Sequence, residues 1–240
     1  TLGGTALATS AWSDSQITVT VPVGHPTGPQ QLMITRSDNG QHLVNGMTIH
    51  VLGTGGTTAT FPILAVSDTF NRANANTLGT NWQQTSLFGI ASIRVNSHQA
   101  SCLASLCALG ANAHWSANLS ATQAAAFTFA NTTLIGNALY LKGTTLTAGT
   151  YVNAIRVRYS GSQVVVETTN NAGISATLVQ AFPASFVVGD RLTAMADASG
   201  NVYVWKTTAA SVTTFLGQTS TSCIGTGRAG MRLMPGSRVD

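Results

Sequence analysis

The sequence predicts an all-β protein of two successive domains, and three observations predict it. Apolar residues recur with a period of two in short runs, as in Ile17, Val19 and Val21 or Leu192, Ala194 and Ala196. Nothing reads as a helix of more than a turn or two, residues 121–126 being the one weak candidate. A Gly/Thr-rich stretch, Gly53-Thr54-Gly55-Gly56-Thr57-Thr58, divides a short first β region from a longer second one. The boundaries fall at residues 1–53 for the first domain, 54–60 for the linker and 61–240 for the second.

In the first region Ile17, Val19 and Val21 alternate with Thr18 and Thr20, the pattern of a half-buried strand. Pro22 to Pro29 reads as a loop broken by Gly24, Pro26 and Gly28, and Leu32 and Ile34 restart the alternation. Asp38-Asn39-Gly40 supplies residues that tolerate positive φ, and Met47, Ile49 and Val51 form a last strand. The order T-L-G-G-T-A-L, W-S-D-S-Q-I-T-V-T-V-P, G-P-Q-Q-L-M-I-T, N-G-M-T-I-H-V resembles an IPT/TIG domain, an immunoglobulin-like β-sandwich. The resemblance implies further strands ahead of Thr1, so this first domain is expected to be partial. An incomplete sheet leaves an unpaired edge, which recruits a strand from another copy or another structural subunit.

The second region continues at hairpin spacing. Ile93 and Val95, Phe127 and Phe129, and Leu139 and Leu141 mark three strands. Ile155, Val157 and Tyr159 share one face of another, with Arg156 and Arg158 opposite; Val164 and Val166 return after the Ser160-Gly161 turn. Asn170-Asn171-Ala172-Gly173 is a further turn, and Gly189 to Lys206 is the clearest hairpin, turning at Asp197 to Asn201. Three segments together resemble the concanavalin A-like lectin/glucanase (LamG-like) jelly rolls of secreted bacterial and phage structural proteins. They are D-T-F-N-R-A-N-A-N-T-L-G-T-N-W (Asp68 to Trp82), the Gly189–Lys206 hairpin and the ending Gly227 to Asp240. The resemblance implies that Phe70 and Trp82 anchor a sandwich around an Asn71–Asn76 turn, and that Trp82 and Trp115 are structural. It also implies a few residues beyond Val239-Asp240.

Composition excludes several functions. Charged residues are 8% of the chain, about a third of the usual share. The nine arginines and two lysines form no run able to track phosphates, so the basic balance of +4 does not point to nucleic acid. No stretch approaches the roughly 18 apolar residues of a membrane helix. Glycoside hydrolysis needs two carboxyl groups across the scissile bond, and the chain holds one glutamate, Glu167, with no acidic trio on a strand. There is no G-x-S-x-G elbow, and His25, His42, His50, His98 and His114 stand apart from one another.

Candidate sites remain. Asp68, Asn71 and Asp240 are candidate calcium ligands, since first and last strands of such sandwiches often meet and hard oxygen donors suit Ca²⁺. Tyr203 and Trp205 share a strand face and could stack on a sugar, or could simply pack inside a sandwich. Cys102 and Cys107 could close a disulfide across a tight turn or remain buried thiols; the C-L-A-S-L-C spacing fits neither a redox nor a zinc motif. Asn118-Leu119-Ser120 and Asn131-Thr132-Thr133 match glycosylation sequons. No cofactor other than calcium is indicated. The reading is a non-enzymatic structural or assembly protein of an extracellular fibre, cell surface or virion. Its alternative is a carbohydrate-binding module that recognises a glycan; a glycoside hydrolase is the remote third.

Overall fold

In the computed structural model the chain divides into two compact units, Thr1–Thr58 and Ala59–Asp240. The structure describes all residues except 14–15, 22–27, 36–39, 41–46, 52–59, 65–67, 85, 88–89, 104, 106, 108–109, 147–149 and 171–174. The Asp38–Asn39 turn, most of the 54–60 linker, the Asn171–Gly173 turn, His25 and His42 lie outside the described residues.

The first unit holds two antiparallel pairs. β1 (Ala8–Trp12) pairs with β2 (Ile17–Thr20), and β3 (Gly28–Leu32) pairs with β4 (Met47–Val51). β3 begins at Gly28, inside the stretch expected to be loop, and ends before Ile34. The pairing with β4 carries Pro29 into a strand, a position open to proline at an edge where its missing N–H is not needed.

The second unit is an antiparallel two-layer sandwich with no helix among the described residues. Its strands begin with β5 (Trp82–Gln84), β6 (Ser86–Leu87), β7 (Ile90–Ala91), β8 (Ile93–Asn96), β9 (Gln99–Cys102) and β10 (Ala111–Trp115). They continue with β11 (Gln123–Thr128), β12 (Ala138–Leu146), β13 (Thr150–Val152), β14 (Ala154–Tyr159), β15 (Gln163–Asn170) and β16 (Ser175–Pro183). The last are β17 (Arg191–Ala196), β18 (Asn201–Thr207), β19 (Thr213–Ser220), β20 (Arg228–Leu233) and β21 (Arg238–Val239). The large sheet runs β16-β15-β14-β12-β20-β10-β5, with β13 paired to β12; the small sheet runs β11-β17-β18-β19. β21, β9 and β8 form a third, three-stranded sheet.

Residues 121–126, the weak helix candidate, include the start of β11, a strand bonded along its length to β17. Alanine favours helix intrinsically, but a cross-strand partner with an apolar face overrides so small a preference.

The core lies between the two sheets. Leu139, Leu141, Ile155, Val157, Val164, Val166, Met231 and Leu233 point inward from the large sheet, opposite Phe127, Leu192, Ala194, Val202 and Val204 of the small one. Fully burying one such side chain contributes about 1.5–3 kcal/mol. Phe70 and Trp82 pack at 5.8 Å between ring centres, and Cys102 is joined to Cys107 by a disulfide.

β12 carries one departure from regular pairing. Tyr140 faces Gly230 and Gly143 faces Arg228, so two residues of β12, Leu141 and Lys142, stand against one of β20. Lys142 takes a left-handed conformation, φ 53°, and the strand turns around it. Gly227 sits so close to this bulge that a Cβ there would lie 2.5 Å from the Lys142 carbonyl carbon. Backbone cannot yield as a side chain can. Gly227→Ala is therefore expected to destabilise the protein by about 1–3 kcal/mol, read as a lower urea midpoint at unchanged m-value; an unchanged midpoint would show that the bulge adapts.

Candidate functional site: an aromatic cleft and a polar row

The leading segment of the second unit is pinned by Asp68. Its Oδ1 accepts the Phe70 N–H at 2.8 Å and Arg72 Nη1 at 2.6 Å; its Oδ2 accepts Arg72 Nη2 at 3.1 Å and the Trp82 indole N–H at 2.9 Å. Arg72 also donates to the Leu78 carbonyl at 2.6 Å, closing the turn between. Burial opposes ionisation of Asp68, but these donors outweigh it and hold the carboxyl below its ordinary value.

This geometry gives Asp68 a guanidinium as its counter-charge. Asn71 is exposed beside it, and Asp240 pairs its backbone with Thr128. Among the described residues no group of His, Cys, Asp and Glu stands together as a metal site. Both Asp68 oxygens are thus engaged by protein donors, two on each.

Asp68 and Asp240 do share a cleft of about 440 Å³. Its walls are the rings of Trp82 and Trp115, set edge to face at 5.4 Å, with Phe61, Pro62 and Leu64. Its floor is Ala124, Ala125 and Ala126 on β11, the edge strand of the small sheet. Side chains alternate along the strand, so Ala125 shares the inward face of Phe127 while Ala124 and Ala126 present the other, and small residues on both faces leave room that larger ones would fill. Arg191 and Asp240, both exposed, add charge at the margin. A concave surface that brings aromatic rings together with convergent polar groups is a usual form of a small-molecule site.

Tyr203 and Trp205 stand on the outer face of β18, opposite the core residues Val202 and Val204. Trp205 is only 2% exposed: Phe61 covers it at 5.7 Å and Phe215 at 5.6 Å, with Tyr203 stacked at 6.2 Å. The Tyr203 hydroxyl is bonded to Asp197 at 3.2 Å. Trp205 is thus no open sugar platform; it supports the Phe61 wall of the cleft. The covering ring is remote in sequence, which is why alternation alone did not reveal it.

A second constellation was not foreseen. Across the outer face of the large sheet, the register aligns Gln83, His114, Gly230, Tyr140, Arg156 and Glu167 in one cross-strand row. His114 Nε2 lies 2.9 Å from Gln83 Oε1, and Arg228 Nη1 lies 2.7 Å from the same oxygen. Glu167 accepts from Arg156 at 2.7 Å and from Arg158 at 3.0 Å. Burial alone would raise Glu167, but hydrogen bonds from Arg158 and Arg156 hold it below the usual value. His114, expected to be isolated, is fully buried within this row.

These bonds also bear on hydrolysis. Glu167 is held by two arginines, Asp68 by Arg72, Asp190 by Lys206 at 2.8 Å, and Asp197 by Ser199, Asn201 and Tyr203. Among the described carboxylates only Asp240 lacks such a partner, so no pair of free carboxyls flanks a common space.

Burial, joined by the charge of Arg228, pushes His114 down to about 4 from its ordinary 6.5. Between those values the unfolded chain binds a proton that the folded chain does not. The stability due to neutral His114 is therefore full above pH 6.5 and is lost as the pH falls toward 4, a change of about 3 kcal/mol. Urea midpoints measured from pH 4 to 7 should show this slope, and His114→Gln should flatten it. Equal slopes in the two proteins would exclude His114 as its source.

No protein family and no curated protein matches the chain. Among solved structures it is similar to carbohydrate-binding module CBM66 from Bacillus subtilis, at 12% identity over 68% of this chain and 93% of that one, with a TM-score of 0.47. It is also similar to the exoplasmic/lumenal domain of VIP36 in a Ca2+/Man2-bound form, at 11% identity over 66% and 78% of the two chains, TM-score 0.44. A third is the CBM2 module of the evolved Dit of Lactobacillus casei BL23 phage J-1, at 9% identity over 71% and 89%, TM-score 0.37.

Proposed function

We propose that the larger unit is a non-enzymatic, carbohydrate-binding β-sandwich of an extracellular or virion-surface protein, and that its saccharide seat is the Trp82–Trp115 cleft. The observation that carries this reading is the cleft itself: indole and phenyl walls, an alanine floor, and Arg191 and Asp240 at the rim. Ring faces and edges suit the C–H surface of a pyranose, while the charged rim suits its hydroxyls. The Cys102–Cys107 disulfide accords with an oxidising compartment outside the cell. The engaged state of Asp68, Glu167, Asp190 and Asp197 supports binding without hydrolysis.

A glycan array followed by calorimetry on the best ligand tests the reading. Trp115→Ala removes a wall and Ala124→Leu fills the floor, and neither removes a hydrogen bond to Asp68. Each is expected to weaken binding at least about tenfold, or roughly 1.4 kcal/mol, with the thermal midpoint nearly kept. Binding that survives both substitutions would place the saccharide elsewhere.

The assembly reading is favoured by one further observation, confined to the first unit. Among the described residues β1, β2 and β4 each have a single partner strand and so an open edge, while the far side of β3 is met at residues 31–33 by residues 1–3. Edges of this kind fit completion by another copy or another subunit. Light scattering of the full chain should then find a concentration-dependent oligomer; a strict monomer at high concentration would sink this reading.

A further inference from the structure

A second cavity, of about 480 Å³, lies beside the β12 bulge and is separate in its lining from the aromatic cleft. Its walls are polar: Asn153, Thr168, Thr177 and Ser222 line it together with Lys142 and Cys223. Lys142 is 4% exposed, and its position is built into the backbone. Its N–H donates to Gln123 Oε1 at 2.9 Å, while Gln123 Nε2 donates to the Ser120 carbonyl at 3.1 Å and the Gly227 carbonyl at 3.4 Å. Gln123 is itself 5% exposed. The left-handed bulge, a strained conformation for a lysine, turns this side chain toward the cavity.

The ammonium has no ion pair; the charge of Asp197 favours it only from beyond ion-pair distance. Lys142 Nζ donates to the Asp197 backbone carbonyl, one bond for a group with three donors. The Asp197 carboxylate is committed to the Ser199 and Asn201 N–H groups, the Asn201 amide and the Tyr203 hydroxyl. No carboxylate of the described residues stands at ion-pair distance from Lys142. Burial pushes the Cys223 thiol up, so it offers no thiolate at neutral pH. Burial likewise pushes the Lys142 ammonium below the ordinary lysine value. A buried charge without an ion-pair partner is costly, and an anion in the cavity would relieve that cost.

We propose that this cavity binds a hydroxylated carboxylate, of the kind presented by a uronic acid unit of an acidic glycan, with Lys142 against the carboxylate. The threonine and serine hydroxyls and the Asn153 amide then meet the ligand's hydroxyl groups. The site is independent of the Trp82–Trp115 cleft, so either can fail without the other.

Calorimetry or NMR titration of the full chain with D-glucuronate, D-glucose and acetate tests it. D-Glucuronate is expected to bind at least about tenfold more tightly than D-glucose, which lacks the charge, and than acetate, which lacks the hydroxyls. Ser222→Asp sets a carboxylate at an exposed lining position, and Lys142→Met removes the ammonium while keeping its stem. Each should weaken D-glucuronate at least about tenfold, whereas Trp115→Ala should leave it unchanged. Ser222→Asp keeps the test decisive even where the buried Lys142→Met impairs folding. Affinity should also fall as the pH rises through the titration of Lys142, earlier than for an ordinary lysine. Equal affinity for D-glucuronate and acetate, or binding retained in Ser222→Asp, would overturn the proposal.

Discussion

β20 enters the large sheet between β10 and β12, strands far from it in sequence, and both the His114 cluster and the Lys142 bulge follow from that insertion. Its register sends Met231 and Leu233 into the core beside Ala111, Ala113 and Leu139, and sets Gly230 outward between His114 and Tyr140. A slip of one residue would exchange those faces and expose the apolar pair. The same strand begins at Arg228, which therefore reaches Gln83 and His114, and follows Gly227, which permits the bulge at Lys142. Closing so long a loop costs entropy that grows only slowly with length, while the apolar contacts accumulate strand by strand.

The chain is poor in charge, and among the described residues several of its charges are buried or paired. Glu167 and Arg156 lie side by side on the large sheet with most of their side chains covered, and Lys206 pairs with the buried Asp190. Such pairs contribute little net stability as a whole, because desolvation offsets attraction, yet removing one partner strands the other in a medium of low polarity. Asp68 works differently. It ties a loop, a guanidinium and an indole together near the surface, and so sets the ring of Trp82 against both Phe70 and Trp115. The cleft inherits its walls from this knot.

Much of the architecture was legible in local pattern. The alternation at Ile155, Val157 and Tyr159 gave both the strand and its inward face, and Asp197 to Asn201 gave the turn of the β17–β18 hairpin. Period-two alternation is a local property, set by the backbone pleat. The pattern was misleading where local preference and tertiary pairing disagreed, at the alanines of β11 and at Pro29 in β3. The sites were legible in part: the Asp68–Trp82 segment was singled out, but Arg72 as the partner of Asp68 was not. His114 stands alone in the sequence because its neighbours Gln83 and Arg228 come from strands β5 and β20.

The all-β class, the inward faces of several strands and the poverty of charge are readable in the chain alone, since each rests on composition or on residues adjacent in sequence. Tertiary structure alone decided which strands neighbour one another, and with that the contents of every site. The cleft needs β11, β10 and the leading segment together; the polar row needs six strands in one register; the Lys142 cavity needs a bulge defined only by the partner strand. Register is a relation between distant segments, fixed by burying apolar faces against each other, and a single strand's sequence does not carry it.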